Sequence, residues 1–278
     1  MQINKMGIDI VHGCQLRCIG CPNSTLKPRI IYCDTDILDA CLHNLDVKKI
    51  RKLRLYNYGE PLLHPHLDKI LLIISRQSFK INNVEITTNA QYWNEEVFTK
   101  AFSLGVVTQL YVSCDGNATS DDYERLRPPA KWDKLIAFMK NMRRLRDTVC
   151  PDMFLGTRTI CTDKKDRDRW KKLLKQLGYK PEFRPWGTRA DALEKPWGKV
   201  RIPRGICRYL TKAKGLRLYV DYDGTVVPCC VHPRAGVLGN LVKSKYSDIL
   251  KSDLRNEFIK VIKKNRALIP ACIECQEK

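Results

Sequence analysis

Gly13-Cys14-Gln15-Leu16-Arg17-Cys18-Ile19-Gly20-Cys21-Pro22 sets three cysteines at the spacing C-x3-C-x2-C, directly after a β-rich stretch, Met6 to Val11. A loop this short can wrap three thiolates around one face of a small inorganic cluster. Cysteine thiolate is the usual protein ligand of [4Fe–4S] clusters, which take four ligands. Three sulfurs therefore leave one iron open to a substrate or cofactor. Two blander readings use the same thiols. A zinc site could recruit Cys33 as its fourth ligand, although zinc favours C-x2-C pairs and tetrahedral closure. The three could also be plain core residues, since free cysteine is often buried.

Working outward, strand and helix patterns alternate. Strands are expected at Met6–Val11, Lys52–Asn57, Asn83–Thr88, Thr108–Ser113, Phe154–Cys161 and Pro181–Trp186. Between them, apolar residues recur at helical spacing over Asp34–Val47, Pro65–Ser75, Asn94–Leu104, Trp132–Arg146 and Asp163–Leu177. Asp34 or Thr35 can cap the first of these, and Gly105 and Gly178 stand where helices stop. Such alternation implies parallel strands with right-handed crossovers. Six strands fall short of the eight in a closed (β/α) barrel. The expected fold is α/β, a partial (β/α)6 TIM-like barrel, whose ligands bind at the C-terminal strand ends.

The loop spacing and its place after the first strand resemble the radical S-adenosylmethionine (radical SAM) superfamily. The resemblance implies a [4Fe–4S] cluster on Cys14, Cys18 and Cys21, with the open iron chelating the amino and carboxylate groups of SAM. It further implies reductive cleavage of SAM to a 5′-deoxyadenosyl radical that abstracts hydrogen from a substrate. The family often has an aromatic residue before the third cysteine, where this chain has Gly20.

The strand ends carry further parts of the resemblance. Tyr58-Gly59-Glu60-Pro61 follows the second strand, where the family has a Gly-Gly-Glu-Pro-like turn against the SAM amino group. Tyr58 replaces the first glycine. Thr87-Thr88-Asn89-Ala90 follows the third strand and Ser113-Cys114-Asp115-Gly116 the fourth. The resemblance implies SAM contacts for Tyr58, Gly59, Glu60, Asn89, Ser113 and Asp115. Alternation puts Ser113 and Asp115 on one face and Cys114 on the other, so Cys114 reads as core. Arg158, a charge within a strand buried on both faces, needs a partner. The SAM carboxylate and an interior acid both qualify. No catalytic side chain is assigned.

After Trp186 the composition shifts to Gly, Pro and charges, a connector over 187–206. Leu216–Asp221 and Thr225–Cys229 read as a hairpin around Asp223-Gly224. Cys207, the doublet Cys229-Cys230, and Cys272-Ile273-Glu274-Cys275 bracket it. Cys207, Cys229, Cys272 and Cys275 make a full thiolate set for one [4Fe–4S] cluster, and equally for a structural zinc. The order of cysteine, hairpin, Pro-Cys-Cys, Leu238-Gly239-Asn240-Leu241, helix and C-x2-C resembles the SPASM and twitch domains of radical SAM enzymes, which carry auxiliary clusters. That resemblance favours iron–sulfur over zinc and leaves Cys230 spare. The expected domains are a partial barrel (1–186), the connector (187–206) and a small hairpin-plus-helix cluster domain (207–278).

The 278 residues hold thirteen cysteines and no apolar run long enough to span a bilayer. No secretory signal precedes the first strand. Many cysteines without secretion argue for metal ligation over disulfides, and an oxygen-labile cluster for a reducing cytoplasm. A monomer fed by an electron donor such as flavodoxin or ferredoxin is expected.

SPASM and twitch enzymes often act on peptides, through thioether cross-linking, epimerisation or oxidation. Their extra N-terminal leader-binding module is expected to be absent here or separate. Charge points to another substrate. Fifty Lys+Arg against thirty Asp+Glu give +20, a field that favours polyanions. Runs such as Lys48 to Arg54, Arg143 to Arg146 and Lys260 to Arg266 would form a phosphate footprint if gathered at the barrel mouth, and solvated faces otherwise. The leading expectation is chemistry on a nucleic-acid base or its appended group. A peptide-modifying enzyme and a non-catalytic iron–sulfur nucleic-acid binder are the alternatives.

Overall fold

The computed structural model describes residues 1–187, 189–194, 204–211, 215–273 and 275. The elements are β1 (Gln2–Ile8), α1 (Thr35–His43), β2 (Leu53–Arg54), α2 (Leu67–Ser75), β3 (Val84–Thr88), α3 (Glu95–Phe102), β4 (Gln109–Ser113), α4 (Ser120–Leu126), α5 (Trp132–Val149), β5 (Phe154–Ile160), α6 (Lys164–Leu177), β6 (Lys180–Arg184), β7 (Leu216–Val220), β8 (Thr225–Val227), β9 (Gly239–Asn240), α7 (Tyr246–Lys251) and α8 (Asp253–Lys264). Most of the expected connector over 187–206 lies outside the described residues.

One sheet runs β6-β5-β4-β3-β2-β1-β7-β8-β9, with β1 to β6 all parallel. Among the described residues its two end strands, β6 and β9, do not pair with each other, so the barrel is open as expected. The cap read from sequence at Asp34 is present, and two further helices start on the same chemistry. Asp34, Asn94 and Asp163 each accept a backbone N–H at the head of α1, α3 and α6. Outward strand residues Ile86, Leu110, Val112 and Leu155 are buried with Ile70, Leu71, Phe98, Met139 and Trp170 of the helices. The inward residues of the same strands are mostly polar, which leaves the barrel interior for chemistry.

The first two strands both end earlier than the sequence reading has them, for one reason. The first strand spans Gln2–Ile8 instead of Met6–Val11 and stops at Asp9. The Asp9 carboxylate is fully buried and accepts the backbone N–H groups of Asn57, Tyr58 and Gly59. Those N–H groups therefore leave the ladder, and β2 shrinks to Leu53–Arg54. Val11–His12 instead pairs antiparallel with Ile31–Tyr32.

The C-terminal hairpin continues the barrel sheet. β7 lies parallel to β1, in register at Met6↔Leu218, Gly7↔Tyr219 and Ile8↔Val220, and β8 turns back along it. This covers the edge of β1 that a free strand would expose.

Candidate active site

The first cysteine loop is clamped onto the turn after β2 by two close backbone approaches. A Cβ on Gly59 would lie 1.5 Å from the Val11 carbonyl oxygen, so no other residue fits. A Cβ on Gly13, whose φ is +81°, would meet the Arg29 carbonyl at 2.4 Å. Glu60 N–H donates to the Gly13 carbonyl at 3.0 Å, closing the contact. From the other side, Arg17 and Ile19 N–H donate to the Pro128 and Leu126 carbonyls at 2.6 and 3.0 Å.

On this frame Cys14, Cys18 and Cys21 are half-buried. Cys14 Sγ accepts from Leu16 N–H at 3.4 Å and from Asn89 Nδ2 at 3.3 Å. Burial pushes the Cys14 thiol up to about 12, with the charge of Glu60 adding to it. Burial likewise pushes Cys18 up to about 11, against the pull of Arg127. Thiols of this kind give up their protons only to a metal centre, which couples deprotonation to ligation. Among the described residues no three Cys, His or carboxylate side chains are already gathered at metal-ligating separation. The thiols would close on a cluster by side-chain rotation. Three soft sulfurs on one pinned loop, with hydrogen-bond donors aimed at one of them, fit an iron–sulfur cluster with an open iron.

The other strand-end residues converge here. Glu60 is buried, and its carboxylate accepts from Thr88 Oγ1 at 2.6 Å and from Asn89 N–H at 2.7 Å. It thereby fixes the end of β3 beneath the cysteine loop, and burial raises it to about 7. Asn89 also contacts Gln15, at 3.1 and 3.3 Å. Asp115 accepts Ile160 N–H at 2.9 Å and pairs with buried Arg127. Ser113 is half-buried and faces Arg158 across the β4–β5 ladder. Cys114 is fully buried, 3.3 Å from Thr159 Oγ1, as a core thiol should be.

Arg158 has the interior acid for its partner. Its guanidinium lies 2.8 Å from Glu85 and 3.5 Å from Glu182, bonds Tyr56 and Thr87, and sits 4.0 Å above the Tyr111 ring. Glu85 is fully buried and also binds Lys52 at 2.8 Å and Arg54 at 2.9 Å. Burial works against its charge, but these cations together hold its carboxyl well below the usual range.

The second cysteine set is tied to the turn behind the first loop through Tyr58 and Cys229. Cys207, Cys229, Cys272 and Cys275 are half-buried. Burial, followed by the charge of Cys230 and later that of Cys207, pushes Cys229 up. Burial, then the charges of Cys275 and Cys207, pushes Cys272 up to about 11. Cys207 is thus felt from both sides, which fits one four-thiolate centre. Cys230 is felt by Lys5, Arg54 and Tyr219 of the barrel interior, so the doublet divides between the two sides.

Three features carry no local sequence signal. Tyr58 spans the two sites. Its carbonyl accepts from Asn23 Nδ2 at 2.9 Å, and its hydroxyl donates to the Cys229 carbonyl at 2.7 Å. Gly20 is small because Trp186 lies on it, with Nε1 2.6 Å from where a Cβ would be. Asp191 joins the loops, receiving Thr25 Oγ1 at its carbonyl while its carboxylate holds His232 at 2.8 Å and Arg234 at 2.6 Å.

Family models match both cysteine-bearing parts of the chain. The family model described as the radical SAM superfamily matches residues 8–169, and that of the SPASM iron–sulfur cluster-binding domain matches residues 207–276. No curated protein sequence matches the chain. Solved structures of similar fold include BtrN in complex with AdoMet and 2-DOIA, at 17% identity and TM-score 0.59, covering 99% of this chain and 93% of that one. Native anSMEcpe with bound AdoMet is similar at 14% identity and TM-score 0.66, covering 97% and 88%. The same protein with AdoMet and the Cp18Cys peptide gives 14% and 0.64, covering 98% and 88%.

Proposed function

The chain belongs to the radical SAM superfamily, and from that premise we propose that it abstracts hydrogen from a peptide held between its two cysteine sites. It is an enzyme that uses SAM, a [4Fe–4S] cluster and auxiliary iron–sulfur ligation, and it requires a reductant. Among the described residues no helix is long and apolar enough to cross a membrane.

Cys14, Cys18 and Cys21 would hold a [4Fe–4S] cluster, which when bound would supply the electron for reductive cleavage of SAM. The chain's own part is placement. Asp9, Gly59 and Glu60 hold the turn that backs the cysteine loop, and Asn89 donates to Cys14 Sγ. Ser113 and Asp115 line the strand end beyond it. Cys207, Cys229, Cys272 and Cys275 would hold the auxiliary cluster. The basic surface suits an acidic carrier of the flavodoxin or ferredoxin type as reductant.

The observation that carries the peptide reading is the SPASM match over residues 207–276, in a fold similar to anSMEcpe, which has been solved with a peptide bound. A second reading, chemistry on a nucleic-acid base or its appended group, rests on the net charge of +20. One anaerobic experiment separates them. Reconstituted protein, SAM and dithionite are incubated with perdeuterated peptides or with oligonucleotides bearing plain and modified bases. Deuterium appearing in 5′-deoxyadenosine from peptides alone supports the first reading. Transfer from oligonucleotides alone refutes it in favour of the second.

A further inference from the structure

The wall formed by β1 and β7 carries two inward cations that no acid among the described residues pairs. Lys5 of β1, Lys52 and Arg54 at β2, Arg158 of β5 and Arg217 of β7 all belong to the inner face of the barrel; Glu85 and Glu182 pair with cations of this group, while Asp9 and Asp221 stand beyond the ends of β1 and β7 and pair with none of them. Glu85 is fully engaged by Lys52, Arg54 and Arg158. Lys5 and Arg217 stand opposite each other across the β1–β7 ladder, and among the described residues neither forms an ion pair. Arg217 Nε is buried without a hydrogen-bond partner, and its guanidinium lies 5.1 Å from the Tyr209 ring centroid. Burial, and next the charge of Arg54, lowers Lys5 to about 8, against the opposite pull of Cys230.

Burying a cation without a counter-charge costs several kcal/mol. Two such cations side by side, both half-buried and so within reach of an incoming group, are complementary to an anion. They lie on the wall that also carries Tyr219, 2% exposed, and the inward-facing Cys230, next to the auxiliary cysteine Cys229. We infer that Lys5 and Arg217 bind an anionic group of the substrate, a carboxylate or a phosphate, and so orient it inside the barrel. This rests on the reading of the barrel interior as the substrate site. It narrows the substrate class: a peptide would present an acidic side chain or its C-terminus, and a nucleotide its phosphate.

The test uses the reconstituted holoenzyme with SAM present. Titration calorimetry with inorganic phosphate and, separately, with succinate distinguishes the two anion sources. Wild type is expected to bind one of them at a single site. Lys5→Met and Arg217→Met should each weaken that site at least tenfold, while Lys260→Ala, on exposed α8, leaves it unchanged. Without anion, Lys5→Met should melt above wild type, because it removes an unpaired charge, and it should lose the rise in Tm that the anion gives. Equal affinity in wild type and both chamber variants overturns the inference. Competition between the anion and SAM overturns it too, by giving the cations to the cofactor. So does a shift in the auxiliary cluster's potential without any change in anion affinity. SAM cleavage in a protein with no anion site sinks this inference alone. An anion site in a protein that never cleaves SAM sinks the hydrogen-abstraction reading instead.

Discussion

The Tyr58 hydroxyl donates a 2.7 Å hydrogen bond to the main-chain carbonyl of Cys229, linking the turn behind the first cysteine loop to the second cysteine set. Tyr58 stands where the superfamily often has glycine, and its carbonyl holds Asn23 of the first loop. One residue therefore ties together two cysteine sets that are far apart in sequence.

Tyr58→Phe keeps the ring and removes the bond. The Cys229 carbonyl would lose its donor, a loss of about 1–3 kcal/mol for a buried group. Thermal unfolding of the reconstituted protein should show that loss, and the electron paramagnetic resonance signal of the auxiliary cluster should broaden. An unchanged melting temperature and unchanged spectrum would show that Tyr58 does not hold the second site.

Gly20 and Trp186 form a size-matched pair. A Cβ at position 20 would sit 2.6 Å from Trp186 Nε1, so Gly20→Phe, which restores the aromatic common in the family, is expected to displace the indole. SAM affinity, read by equilibrium dialysis, should fall at least tenfold. The double change Gly20→Phe with Trp186→Ala should recover most of it. Failure of the double variant to recover would mean that the two positions do not substitute for each other.

Iron content separates the two sites. Replacing Cys14, Cys18 and Cys21 by alanine should leave about four irons, held by Cys207, Cys229, Cys272 and Cys275. Cys230→Ala should leave about eight, because that thiol acts on Lys5 in the barrel interior and is not among the charges felt by Cys272. Loss of about four irons on the Cys230 change would exchange the roles of the doublet. Zinc in place of iron in natively purified protein would replace the iron–sulfur assignment.

What could be read from sequence was what is written locally. The spacing Cys14-x3-Cys18-x2-Cys21 is carried by ten consecutive residues, and the strand–helix alternation by hydrophobic period. The cap at Asp34 depends on residues one turn away and is legible, as are the helix starts at Asn94 and Asp163, which the structure makes caps. The missed features depend on contacts between distant segments. Asp9 shortens β2 by capturing N–H groups 48 to 50 residues away. The Tyr58–Cys229 bond spans 171 residues. The pairing of β7 with β1 needs the free edge of β1, which only the assembled barrel creates.

Glu85 gives the sharpest test of the interior, because it is the acid on which three cations converge. Glu85→Gln keeps the shape and removes the charge, leaving Lys52, Arg54 and Arg158 without their shared counter-ion. Breaking a buried pair in this way costs about 3–5 kcal/mol. The sign of the pH dependence follows from linkage. The folded carboxyl is depressed below its ordinary 4.5, so its stabilisation is present in full above that value. It is lost as pH falls from 4.5 towards the depressed folded value. Wild type should therefore lose stability steeply below pH 4.5, measured by urea denaturation at a series of pH values. Glu85→Gln should be less stable at pH 7 and show a shallower acid limb, so that the two curves converge at low pH. Parallel curves would mean that Glu85 is not the charge that holds the interior cations. Convergence would leave Lys5 and Arg217 as the cations whose counter-charge comes from outside the chain.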